Sequence, residues 1–308
     1  MPTVAQRKLK RPRPGRDLES QKLIERFFQN VGSVFSLPTA AMQILQVTND
    51  PHSEAADLLK AVQRDPAIAA RILRIVNSSF YSLRRSIADL KTAITLLGFS
   101  EVRNLALTAS ISSLFGSGGS YGDYSRKGLW DHCIGVGSVA RVIARNGGRV
   151  GPGEAYLAGL LHDLGLILID QYLRRPFCEV LNRLTPETPT CEVEVKTLGF
   201  DHAELGSYMG RCWCFPDEIV AAIRYHHVPQ QYEGSHRDTV WVVAMANFLC
   251  TLQGLSSLGV RNVAEPPDEV VERLDFHPEH IPHLKQQLDE TLTQAGALAS
   301  WGWEPDHR

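Results

Sequence analysis

The stretch RDPAIAARILRIVNSSFY, residues 64–81, decides the fold class. Asp65 followed by Pro66 reads as an N-cap and first-turn pair. The carboxylate can accept from the free N–H groups that open a helix, and proline's fixed φ suits a position whose own N–H has no partner. Behind the cap, Ile68, Ala69, Ile72, Leu73 and Val76 recur at the three- and four-residue spacing of one helical face. The pattern continues outward. Ser86 is expected to open a second helix with Ile87, Leu90, Ala93, Ile94 and Leu97 inward, Gly98 to take positive φ at its end, and Ser100 to cap the next. Period-two alternation is scarce along the whole chain, so the predicted fold class is all-α.

The 308 residues are enough for two compact units or one large one. With 44% hydrophobic and 21% charged residues, the composition excludes a collagen-like, mucin-like or wholly disordered chain. No apolar run approaches the roughly 20 residues of a membrane-spanning helix, and no secretory signal core opens the sequence, so a cytoplasmic protein without a membrane partner is expected. Lys and Arg number 32 against 34 Asp and Glu, a net charge of −2. The charge is unevenly spread: Arg7, Lys8, Lys10, Arg11, Arg13 and Arg16 form a basic tail with Pro2, Pro12 and Pro14, which reads as disordered. Nucleic acid is not expected as a partner, apart from phosphate contacts by that tail. The six cysteines lack metal-knuckle spacing and read as reduced, mostly packed thiols.

Breaks in the helical pattern divide the chain. Residues 1–18 form the tail, 19–115 an N-terminal helical subdomain, 116–128 a Gly/Ser-rich linker, 129–255 a second helical subdomain, and 256–308 a C-terminal helical extension with Leu284, Leu288 and Leu292 in one stripe. His277, His280 and His283 recur every third residue, but Pro278 and Pro282 interrupt any helix that could align them, so they read as exposed loop residues.

Of eleven histidines, His132, His162, His202, His226 and His227 fall in the middle segment, inside or beside apolar helical runs, and Asp163 follows His162 directly. A lone buried imidazole usually has a structural partner, but five with a carboxylate are the donor types that hold zinc, iron, manganese or nickel. Adjacent helical residues point about 100° apart, so His162 with Asp163 and His226 with His227 could each serve two metals, or a metal and a substrate oxygen. Asp163 could bridge two ions, the arrangement used in phosphoryl transfer. Asp201 and Glu204 flank His202 and could orient its ring, or Asp201 could cap a helix. Asn77, Ser78, Arg71 and Arg74 place polar groups at a helix end, where a structural cap is expected.

From Leu37 to His227 the sequence resembles the HDOD family, HD-related output domains of bacterial signalling proteins. The resemblance rests on Leu37 and Pro38, on the 64–81 stretch, on AITLLGFSEVRNLAL (93–107), and on WDHCIGVGSVA from Trp130. It continues in GLLHDLGLILID from Gly159 and in GFDHAELGSYMGRCWCFPDEIVAAIRYHH from Gly199. The second half is also similar to the wider HD phosphohydrolase superfamily, whose ligand order is a His, a His-Asp pair and a late Asp. That resemblance implies a metal site at His132, His162 and Asp163, with His202, His226 and His227 matching the extra histidines of the cyclic-di-GMP-degrading HD-GYP relatives. Two departures stand out: Asn247, in AMANFLC (244–250), occupies the late Asp position, and no Gly-Tyr-Pro follows His227. The family implies a signalling or regulatory module that meets a protein partner or a small-molecule ligand, non-catalytic or weakly catalytic, with one or two divalent ions (Fe, Mn, Zn or Ni). The alternatives are a metal-dependent phosphohydrolase or phosphodiesterase using Asp163, and, more remotely, a di-iron oxygenase.

Overall fold

The computed structural model describes residues 19–20, 22–26, 37–50, 52–77, 86–116, 119–185, 188–259, 266–274 and 289–293. Its first half stacks α1 (Thr39–Asn49), α2 (Ala55–Gln63), α3 (Pro66–Val76) and α4 (Leu90–Leu97) around α5 (Phe99–Phe115). Asp65 caps α3 as the sequence demands, accepting from the Ala67 and Ile68 N–H groups at 3.0 and 3.2 Å. Ile68, Ile72, Ile75 and Val76 are the buried face.

Two expected caps are corrected. The helix predicted from Ser86 begins at Leu90, where Asp89 accepts from the Thr92 N–H at 2.8 Å. Ser86 and Ile87 stay outside it because Asn77 holds them: Asn77 Oδ1 accepts from the Ile87 N–H at 2.6 Å and from the Ser86 hydroxyl at 3.2 Å. Ser100 caps nothing, since α5 starts at Phe99 directly after Gly98, whose φ of +86° turns the chain between α4 and α5.

Helix α5 is buried almost all round because it lies between the first helices and α6 (Arg126–Gly147) with α7 (Pro152–Leu161). Its polar groups are matched across that junction. Asn104 donates to the Gly153 carbonyl at 3.0 Å, Thr108 meets the Tyr156 hydroxyl at 3.1 Å, and Glu101 pairs with Arg141 at 2.7 Å. Buried hydrophobic residues from both halves belong to one continuous core.

The region expected to be a flexible linker contains instead an antiparallel hairpin, β1 (Ser120–Tyr121) with β2 (Tyr124–Ser125), and α6 begins at Arg126 rather than Leu129. Beyond it come α8 (Leu164–Tyr172), α9 (Arg174–Arg183), α10 (Thr190–Leu198), α11 (His202–Cys212) and α12 (Asp217–Tyr225). A 3-10 turn at Pro229–Gln231, α13 (Arg237–Leu252) and α14 (Asp268–Arg273) follow. Helices α6, α7, α12 and α13 pack on one another, and α11 lies between α8 and α12.

All six cysteines are free; Cys133 and Cys250 are buried, Cys178 and Cys191 are half-buried, and Cys212 and Cys214 are exposed. Among the described residues no helix is long and apolar enough to cross a membrane. The basic tail, Ser78, His277, His280, His283, Leu284 and Leu288 lie outside the described residues, while Leu292 packs against the core.

Candidate metal centre

Close helix approaches bring the histidines together. A Cβ on Gly159 of α7 would sit 2.8 Å from the Gly137 Cα of α6, so these helices touch backbone to backbone and His132 meets His162. Helix α7 ends at Leu161, and Asp163 takes the bridge-region conformation (φ −98°, ψ 18°) before α8. Its carboxylate caps no helix and turns into the centre. Gly165, at the start of α8, lets α11 come equally near: a Cβ there would lie 1.9 Å from the His202 carbonyl oxygen. His226 and His227 follow the last residue of α12, with ring centroids 4.1 Å apart. The adjacent pairs therefore occupy helix ends rather than helix interiors, and each pair aims into one cluster instead of diverging as the helical spacing predicts.

Asp163 stands in the middle. Its Oδ2 lies 3.3 Å from His162 Nε2 and 3.6 Å from His132 Nε2, and those two nitrogens are 3.3 Å apart. Its Oδ1 lies 3.3 Å from His202 Nε2 and 3.4 Å from His226 Nε2, with His227 Nε2 3.0 Å from His202 Nε2. Besides a group formed by Cys191, Glu194 and His202, two potential metal-holding groups result, His132–His162–Asp163 and Asp163–His202–His226–His227, sharing the one carboxylate. Every member of these two but His227 is buried.

The outer nitrogens fix the rings. His132 Nδ1 donates to the Leu255 carbonyl and His162 Nδ1 to the Gly159 carbonyl, each at 2.7 Å, and His226 Nδ1 donates to the Ile223 carbonyl at 2.9 Å. A carbonyl only accepts, so in each neutral ring the proton sits on Nδ1 and the Nε2 lone pair points inward. Burial, reinforced by the neighbouring imidazoles, pushes His132 and His226 down to about 4. Burial also holds His227 well below the usual imidazole range. At neutral pH these rings are unprotonated, and His226 Nε2 faces Asp163 Oδ1 with no proton between them.

Ligands bound to one cation about 2.1 Å away stand about 3.0 Å apart at a right angle and about 3.4 Å apart at the tetrahedral angle. The 3.3–3.6 Å separations in the first group, and those of His202 and His226 from Asp163 and of His227 from His202 in the second, lie close to that spacing. The donor set therefore fits a metal ion on its geometry as well as its chemistry.

The HDOD domain model matches residues 34–229. The chain belongs to the HDOD family. An HDOD domain protein of unknown function from Geobacter sulfurreducens superposes with a TM-score of 0.76 at 25% identity, covering 93% of this chain and 99% of that one. A protein from Marinobacter aquaeolei VT8, described as a signal transduction protein, gives a TM-score of 0.74 at 25% identity, covering 93% of this chain and 65% of its own. An uncharacterised protein of Treponema pallidum (strain Nichols) is 24% identical over 235 residues. That match takes in 74% of this chain but only 44% of the Treponema relative.

Within this HDOD chain, one site residue escaped the sequence reading. Glu194 of α10 is fully buried, and its Oε2 accepts from His202 Nδ1 at 2.7 Å and from the His202 backbone N–H at 3.0 Å. Of the two roles open to the acids beside His202, the structure shows the cap: Asp201 and Glu204 form a reciprocal capping box at the start of α11. His202 is thus the one ring with a carboxylate on each side. Burial opposes its charge, but Glu194 and Asp163 outweigh that cost and hold the imidazolium well above its usual range. Burial likewise works to raise Asp163, yet His162 and the other rings hold it well below the usual carboxylate range. Asn247 is buried on α13, its Oδ1 facing the Thr251 hydroxyl at 3.5 Å.

Proposed function

We propose that the chain is a regulatory HDOD module whose buried centre holds a divalent transition-metal ion, and that it signals through a protein or small-molecule contact rather than by rapid hydrolysis. The observation that carries this reading is the convergence of the His132, His162 and His226 Nε2 lone pairs on the Asp163 carboxylate, each of these three rings locked from behind by a backbone carbonyl, while Glu194 orients His202 beside them. Lone pairs pressed together inside a low-dielectric core repel unless a cation lies among them. His132, His162 and Asp163 would hold one position, and Asp163 with His202, His226 and His227 the other. Iron, manganese, zinc and nickel all suit imidazole and carboxylate donors. Once bound, such an ion supplies Lewis acidity and ties helices α6, α11 and α12 to the turn before α8.

Burial of the donors supports a regulatory role over a hydrolytic one, because a phosphodiester substrate must reach the ion. The charge balance points the same way. Asp163 is the one carboxylate in the two groups, Glu194 is committed to His202, and Asn247 brings no charge. A second reading, a metal-dependent phosphohydrolase, draws on a specific feature: the two oxygens of Asp163 face two separate donor groups, as a bridging ligand's would.

Elemental analysis of untagged protein purified without chelator, beside Asp163→Ala, tests the metal; turnover of cyclic dinucleotides and bis(p-nitrophenyl) phosphate tests the role. We expect bound transition metal that Asp163→Ala loses, with hydrolysis close to background. Metal-free wild-type protein would end the metal reading. Rapid turnover abolished by Asp163→Ala would replace the regulatory reading with the enzymatic one.

A further inference from the structure

On the far side of α11 and α12 lies a groove of about 480 Å³, within the size range of small-ligand pockets. Helix α11 lines it with Glu204, Ser207, Tyr208 and Arg211, and α12 with Asp217, Val220, Ala221, Arg224 and Tyr225. Both sets follow the three- and four-residue spacing of a whole helical face, so two facing helices leave this space unfilled along their length. Ile24, Val220 and Ala221 make an apolar floor, and Tyr232 stands beside Tyr225 with ring centroids 5.1 Å apart. None of the proposed metal ligands lines it.

The charges in the groove are unequally committed. Glu204 receives the Arg224 guanidinium at 3.4 Å through Oε1 and the Asp201 N–H at 3.0 Å through Oε2. Arg211, at the rim, makes no ion pair among the described residues. Asp217 lies in the first turn of α12 and offers acceptor oxygens at the same end. A tyrosine pair on an apolar floor takes a planar ring, a guanidinium takes phosphate, and a nearby carboxylate accepts from ribose hydroxyls.

We propose that this groove binds a nucleotide, with its base against Tyr225 and Tyr232 and its phosphate on Arg211. The site stands apart from the metal centre and does not depend on it, although α11 begins with His202 and α12 leads directly into His226, so an occupant touches both helices that shape the centre.

Calorimetric titration of the full chain, treated with chelator, with AMP, GMP, CMP and orthophosphate tests the assignment. At least one nucleotide is expected to bind saturably and raise Tm by a few degrees, with orthophosphate much weaker. Loss of a charge-assisted phosphate contact in Arg211→Glu, or of the ring contact in Tyr232→Ala, should weaken binding about ten-fold or more. Arg211 is exposed, so that variant should melt like wild type without ligand. Three outcomes overturn the proposal: no nucleotide binds, orthophosphate binds as tightly as nucleotides, or binding survives Arg211→Glu but disappears in Asp163→Ala. The last would put the nucleotide in the metal centre instead.

Discussion

Single atoms set the centre. A methyl group at Gly165 would meet the His202 carbonyl at 1.9 Å, a backbone contact that no rotamer change can relieve. Gly165→Ala should therefore separate α8 from α11, costing about 1–3 kcal/mol as overpacked substitutions do, and draw His202 away from Asp163. The expected result is a lower urea midpoint together with reduced bound metal, while Gly147→Ala, with open space around its Cβ, changes neither. Glu194 acts on the same ring from behind. Glu194→Ala should weaken metal binding about 10–100-fold, and Glu194→Gln, which keeps an acceptor for the Nδ1 proton, should recover part of it. Competition with a chelating indicator measures both, and equal affinities in the two variants would refute the positioning role. The histidines and Asp163 were legible because motif order survives in sequence. Glu194 was not: it reaches His202 only because the chain reverses at Gly199, between α10 and α11, and nothing local marks an acid in a short helix as a buried acceptor.

Among the elements, the hairpin shows how a composition signal misleads. Glycine and serine at 116–122 read alike for a loose linker and for a tight turn, since both need residues that accept unusual backbone angles. The difference lies in Asp170, 44 residues beyond Arg126 and fully buried on α8, which receives Arg126 through Oδ2 and Arg174 through Oδ1. The Tyr124 hydroxyl also donates to Oδ2, at 3.0 Å, and Arg174 donates onward to the Ser120 carbonyl at 2.8 Å. Removing one partner of a buried ion pair costs about 3–5 kcal/mol, and the partial exposure of both arginines argues for the lower end. Asp170→Asn should lower stability by roughly 3 kcal/mol in urea unfolding without changing metal content, because Asp170 belongs to neither donor group. A change below about 0.5 kcal/mol would mean that the hairpin is not anchored there. Local chemistry placed α3 correctly because Asp65 and Pro66 act on their own turn. It misplaced the start of α4 because Asn77, ten residues before Ile87, binds the backbone that Ser86 was expected to turn into a helix.

For the whole molecule, burying several unprotonated imidazoles makes stability depend on pH with a definite sign. In metal-free protein, His132 and His226 fall from an ordinary value of 6.5 to about 4 on folding, chiefly because burial excludes their charged forms. Between those two values the unfolded chain binds more protons than the folded one, so acidification favours unfolding. A shift of that size corresponds to about 3 kcal/mol for each group once pH has dropped through the window; the two rings interact through the same cluster, so their effects need not add. Two oppositely shifted groups act elsewhere, whereas Glu194, whose carboxyl burial raises from its ordinary 4.5, takes up a proton inside the window and offsets part of the loss. The raised value of His202 contributes stability that is fully present below 6.5 and fades only as pH rises through its folded value. The lowered value of Asp163 contributes stability that is lost only below the ordinary carboxylate value of 3.8. Across pH 6.5 to 4, then, the destabilising part of the slope belongs to the unprotonated imidazoles. Urea midpoints of chelator-treated protein should fall steadily from pH 7 to pH 4.5, and His226→Gln, which keeps a polar side chain but cannot titrate, should flatten that fall. A wild-type midpoint unchanged over this range, or a slope unaltered in His226→Gln, would mean that these rings do not enter the folded core uncharged.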